Sequence, residues 1–143
     1  MRFSQARGQK IVSTSTAGTV GRVSGFVVDP STSRIAAVRV KKAASGDTLP
    51  WTDITSFGVD AVTVDDAARI TEASEKIASL SGRKRKVIGR RVLSTAGNEL
   101  GRSSDVEFDQ ESGAVTAIVL NDEKTATGKV VGIGSYAVVW QED

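Results

Sequence analysis

Short apolar runs, rich in valine and isoleucine and broken by Gly, Pro, Asp and Ser, dominate this chain and predict β-strands. In the first half they fall at Ile11-Val12, Val20 to Val28, Arg34 to Lys42, Leu49 to Ile54 and Ala61 to Val64. Asp29-Pro30-Ser31-Thr32-Ser33 separates two of them and predicts a hairpin turn, because Asp accepts a hydrogen bond from the backbone ahead of it and Pro presets φ. A second set of strands runs from Val87 to Trp140. Helical periodicity occurs only between the two sets. There Asp65 or Asp66 would cap a helix that Gly82 stops, with Ile70, Ala73, Ile77 and Leu80 on one face at spacings of three and four. Such a stripe must lie on something, and the flanking strands are nearest.

The two strand sets are copies of one unit. Ser15-Thr16-Ala17-Gly18 returns as Ser94-Thr95-Ala96-Gly97, and the register from Gly21 to Val40 matches Gly101 to Leu120 without a gap. A supersecondary unit used twice predicts two superposable bodies of six strands or nearly so: residues 1–65, a helix over 66–82, and residues 83–143. Each copy alone would bury only about 60% of the surface its unfolded chain exposes, so packing the two together is the more stable arrangement. Gly113 stands where the second hairpin turn needs a left-handed residue. Ser33 holds that place in the first copy, so it is expected to have positive φ, with Ser33→Gly relieving strain.

Composition narrows the chemistry. There is no cysteine and no histidine, which excludes disulfides, thiolate nucleophiles and Cys-based metal sites and removes the commonest general base. No spacing of serines, lysines or carboxylates singles out a reactive pair, so the chain reads as non-enzymatic, with no catalytic, cofactor or metal residue assigned. Lack of cysteine fits a reducing cytoplasm. No run approaches the ~18–20 apolar residues of a membrane span, and the N-terminal residues lack the apolar core of a secretion signal, so a soluble cytoplasmic protein is expected. A net charge of +2 with a pI near 9.1 is mildly basic, too little to demand a nucleic-acid partner.

The first copy carries Gly18, Gly21-Arg22-Val23, Asp29-Pro30-Ser31-Thr32-Ser33-Arg34 and the late segment Asp53-Ile54-Thr55-Ser56-Phe57-Gly58-Val59-Asp60-Ala61-Val62. In these it resembles the PRC-barrel, the small β-barrel family seen in the photosynthetic reaction-centre H subunit and the ribosome-maturation factor RimM. The second copy keeps Gly97, Leu100-Gly101-Arg102 and Asp109, and its late segment shortens to Ile133-Gly134-Ser135-Tyr136-Ala137-Val138. The resemblance implies a mainly β fold of two small antiparallel barrels joined by one α-helix, of bacterial origin, that binds macromolecules and has no catalytic motif to inherit.

Candidate surfaces follow from contrasts between the copies. Asp105, Glu107 and Asp109 alternate with Val106 and Phe108, which a regular strand places on one face at ~6.6 Å intervals. They read as a wet outer face, with a cation or basic partner as the alternative. The matched positions Gly25, Val27 and Asp29 are nearly apolar, so that face is expected to be covered by the helix, the other unit or a partner. Arg83-Lys84-Arg85-Lys86, with Arg90 and Arg91 close behind, could meet phosphates, acidic protein or anionic lipid, or form a solvated hinge whose cations favour a helix C-terminus. Trp51, beside Pro50, is either a core plug or an exposed anchor, and Trp140 reads as core. The glycines from Gly18 to Gly25 read as strand corners, since no helix follows them as a phosphate loop requires. The expectation is a binding or adaptor protein with a protein partner. An RNA- or ribosome-associated factor using Arg83 to Lys86 is the alternative, self-association stays open, and the ligand inventory disfavours a small-molecule or metal module.

Overall fold

A computed structural model describes residues 1–143. A one-turn helix α1 (Phe3–Ala6) precedes strands β1 (Lys10–Ser13), β2 (Thr19–Asp29), β3 (Arg34–Lys41), β4 (Thr48–Pro50), β5 (Ser56–Phe57) and β6 (Ala61–Val64). A short helix α2 (Glu75–Ser79) leads to β7 (Arg91–Ser94), β8 (Glu99–Phe108), β9 (Val115–Leu120), β10 (Thr125–Ile133) and β11 (Val138–Glu142). In the first unit β2 pairs antiparallel with β1 and β3, β3 with β4, and β6 runs parallel to β1 while holding β5. The second unit repeats the circuit, with β8 antiparallel to β7 and β9, β9 to β10, and β11 parallel to β7.

Closure separates the two. Strand β10 pairs with both β9 and β11 and closes a five-stranded barrel. Its counterpart in the first unit is broken by a 3-10 turn at Trp51–Asp53, so among the strands β4 pairs with β3 alone and β5 with β6 alone. Pro50 starts that turn with φ of −58° and has no N–H for a ladder. The mainly β class is as expected. The first unit is a six-stranded sheet curled into a half-barrel, and each unit contains one parallel pair.

The repeat holds at the level of strand register. Val23, Gly25, Phe26, Val27 and Val28 oppose Val40, Arg39, Val38, Ala37 and Ile35. At a constant offset, Ser103, Asp105, Val106, Glu107 and Phe108 oppose Leu120, Val119, Ile118, Ala117 and Val115, with bulges at the same two places. The face of β8 that read as wet is covered in part by the chain's own N-terminus, with Asp105 buried, Glu107 half-buried and Asp109 exposed. Phe108 N–H donates to Met1 O at 2.8 Å, Arg2 pairs with Glu107 at 3.2 Å, and the Asp105 carboxylate accepts from the Ser4 N–H at 3.2 Å and from the Ser4 hydroxyl. Asp105 is buried, because these donors replace water.

The units meet across a pseudo-two-fold joint made by their hairpin tips. Ile35 N–H donates to Gly113 O and Val115 N–H to Ser33 O, both at 2.8 Å, so equivalent residues exchange equivalent bonds. All four phenylalanines, Phe3, Phe26, Phe57 and Phe108, pack there with Trp51 into one core that runs through both units. Gly113, at φ 75°, lies under Trp51, where a Cβ would come within 2.8 Å of the indole. Ser33 has the expected positive φ, 53°, but its hydroxyl accepts from Val130 N–H at 3.0 Å across the joint. That bond opposes the relief of strain, so the balance for Ser33→Gly has to be worked from both effects.

The linker also corrects the reading. No helix spans 66–82; a 3-10 turn at Ala67–Arg69, capped by Asp66, is followed by extended residues and then by α2, capped by Ser74. Tertiary pairing overrides the periodicity: Thr71 and Thr48 exchange backbone hydrogen bonds at 2.8 and 2.9 Å, which pulls Ile70 and Thr71 into an extended bridge and buries Ile70. Gly46 admits this close approach, since a Cβ there would lie 2.3 Å from the Thr71 carbonyl carbon. Of the predicted stripe, Ile77 is buried, Leu80 is half-buried and packs with Ile77, and Ala73 is exposed.

Candidate interaction surface: a basic groove

The covered patch and the basic cluster, read separately from the sequence, meet in space. Val27 is buried with Ala37 beneath Ile77 and Leu80, so its cover is the chain's own α2 and it is not part of a free surface. Its neighbour Gly25 remains accessible and lines a groove of about 370 Å³ with Phe26, Arg39, Arg7, Lys86 and Ile88. A second hollow of about 260 Å³ shares Phe26, Arg39 and Lys86 and extends to Leu80 and Arg83. The two adjoin over β2 and β3, where Phe3 and Arg7 of the N-terminal segment bound the first and residues 80–86 of the linker bound the second. No carboxylate lines either part.

The segments that build the walls are themselves a repeat. Gly8, at φ 90°, donates its N–H to Val23 O and accepts from Arg22 Nη1; Gly89, at φ 75°, does the same with Ser103 O and Arg102 Nη1. Residues before Gly8 and before Gly89 are therefore equivalent approaches to the two units, one ending in α1 and the other in a 3-10 turn at Arg83–Arg85.

The cations divide into two kinds. Arg85 donates to Ile133 O at 2.9 Å, and Arg90 donates to Lys86 O at 2.9 Å and to Gly134 O, so both bind backbone carbonyls of their own chain. Arg91 pairs with Glu99 at 2.9 Å and lies 4.6 Å above the Tyr136 ring, away from the groove. Arg7, Arg39, Arg83, Lys84 and Lys86 have no ion-pair partner. Trp51 is a half-buried plug at the joint, stacked on Phe57 at 5.6 Å, and lies outside the groove. Beyond the groove, Asp65 is held below its ordinary 3.8 by the side-chain hydrogen bond from Arg69, and Arg69 is raised in turn by Asp65.

Sequence reading missed Arg7, Arg39 and Phe26. Arg39 had a signal, since it stands opposite Gly25 where the second copy has Val119 opposite Asp105. Arg7 had none, because nothing local shows that the N-terminal segment returns to β2. No group of three or more acidic side chains could hold a metal ion, and no helix is long and apolar enough to cross a membrane. Neither a scan against protein-family models nor a search of curated proteins finds a match to this chain.

Proposed function

We propose that this chain is a non-enzymatic binding or adaptor module of the PRC-barrel type, acting in a bacterial cytoplasm, with the basic groove as its working surface. Two units of one bulged circuit, each with an Asp-capped hairpin at Asp29 or Asp109, support the family reading. The observation that carries the function is the convergence of Arg7, Arg39, Arg83 and Lys86, from three separate segments, on a half-open apolar floor with no carboxylate lining it. Gathering like charges opposes folding through self-repulsion, so an arrangement the fold does not need points to a partner of opposite charge. The RNA or ribosome alternative draws on the same cations.

The test is capture from a lysate by the tagged full chain and by its Arg39→Glu/Lys86→Glu variant, with and without nuclease. Arg85 and Arg90 are left alone because they hold backbone. Retention by the wild type, survival through nuclease and loss in the variant are expected. Equal capture by both proteins would sink the groove as the working surface, and loss on nuclease treatment would turn the reading to RNA.

A further inference from the structure

We infer, building on the binding-module reading, that the groove takes an acidic segment of a partner protein with an apolar side chain at its centre. The internal repeat supplies the argument. At the same place in the two units the cross-strand pair is Asp105 with Val119 in the second and Gly25 with Arg39 in the first. In the second unit a carboxylate on this face is gripped by Ser4 of the chain's own α1. The first unit offers the complement on the same backbone: bare backbone at Gly25, a cation opposite it, and Arg7 and Lys86 on the rims. Charge complementarity selects an acidic occupant.

The floor decides what kind of acid. Phe3, Phe26, Val87 and Ile88 line it, so an apolar side chain gains by entering while its acidic neighbours stay on the rim. Single-stranded nucleic acid needs aromatic faces on which bases stack. Phe26 cannot offer one freely, since Phe3 already stacks on it at 4.1 Å and 17°. Of the other accessible aromatics, Tyr136 lies beneath Arg91 and the half-buried Trp51 is stacked on Phe57, both outside the groove. Gly25 also gives a blocking variant. A Cβ there meets only Arg39 at an ordinary 3.8 Å, so Gly25→Glu fits and places a carboxylate beside the guanidinium.

Fluorescence anisotropy with the full chain tests this, using a labelled twelve-residue peptide of Glu and Asp around one Leu, the same peptide with Ser for Leu, and a twelve-nucleotide oligouridylate. The Leu peptide should bind, weaken with salt, weaken several-fold with Ser, and weaken about tenfold or more in Gly25→Glu and in Arg39→Glu/Lys86→Glu. Thermal melts verify folding; should the double variant unfold, Arg39→Gln replaces it. Tighter binding of the oligouridylate, or equal binding of the Leu and Ser peptides, overturns the inference. So does failure of the peptide to bind, and the capture experiment then decides separately: groove-dependent capture leaves the binding module standing, groove-independent capture removes both.

Discussion

Replacing Ser33 by glycine sets two effects against each other, and the structure gives their sizes. Ser33 sits at φ 53°, a left-handed conformation that costs a side-chain-bearing residue about 1–2 kcal/mol and that glycine would adopt freely. Against this, the hydroxyl accepts from Val130 N–H in the bulge between Val130 and Gly132, and Val130 is 1% exposed, so no water replaces the lost partner. An unpaired buried donor costs about 1–3 kcal/mol. Glycine also adds freedom to the unfolded chain, worth about 0.5–1 kcal/mol. The balance is a net loss of about 1 kcal/mol. Ser33→Ala keeps the strain and still loses the bond, so it should fall further, by about 2 kcal/mol. Urea unfolding followed by fluorescence of Trp51 and Trp140 should rank wild type above Ser33→Gly above Ser33→Ala. A Ser33→Gly protein as stable as wild type, or more so, would show that the Val130 bond is worth no more than the strain it accompanies and refute the reasoning.

Val27→Glu puts a carboxylate under Ile77 and Leu80 and should cost about 2–4 kcal/mol, whereas Glu107→Val at the equivalent position removes only a surface ion pair and should stay within about 0.5 kcal/mol. Hydrogen exchange would test the mechanism, with amides of α2 losing protection in Val27→Glu while β2 and β3 keep theirs. The Asp65–Arg69 pair makes a pH prediction. Because the folded-state value of Asp65 is lowered, its contribution is present above 3.8 and lost as pH falls through the lowered value; the pair lies at the surface, so Arg69→Gln should erase this small dependence and salt should mute it.

The duplication was legible because Gly21 to Val40 and Gly101 to Leu120 share spacing, and spacing fixes register and bulges. The difference in closure was less so. It turns on Pro50 and Trp51, where a continuous run from Leu49 to Ile54 reads as one strand although the prolyl ring breaks it. The linker misled because the spacing of Ile70, Ala73, Ile77 and Leu80 is helical, yet Thr71 gains two backbone bonds from Thr48, a contact that no local pattern encodes. The groove was half legible. Gly25 and Lys86 were both singled out, for unrelated reasons, and only the path of the N-terminal segment and linker across β2 brings them together with Arg39.

That path gives the second unit a role of its own. Met1 to Ser4 are fixed to Phe108, Glu107 and Asp105 of β8, which stations the N-terminal segment, Arg7 included, beside β2. On the other wall, Val87 O accepts from the Ser103 hydroxyl, and Arg90 ties Lys86 O to Gly134. Both walls of the groove over β2 and β3 are therefore held by contacts to β8 and to the Gly134 backbone. The joint itself works the same way, since Ile35 and Val115 each take their backbone acceptor from the opposite hairpin and either unit alone would lose that bond and open its apolar face to water. Separation of the halves would dismantle the groove together with the core, and so the closed barrel acts as the scaffold on which the groove is assembled.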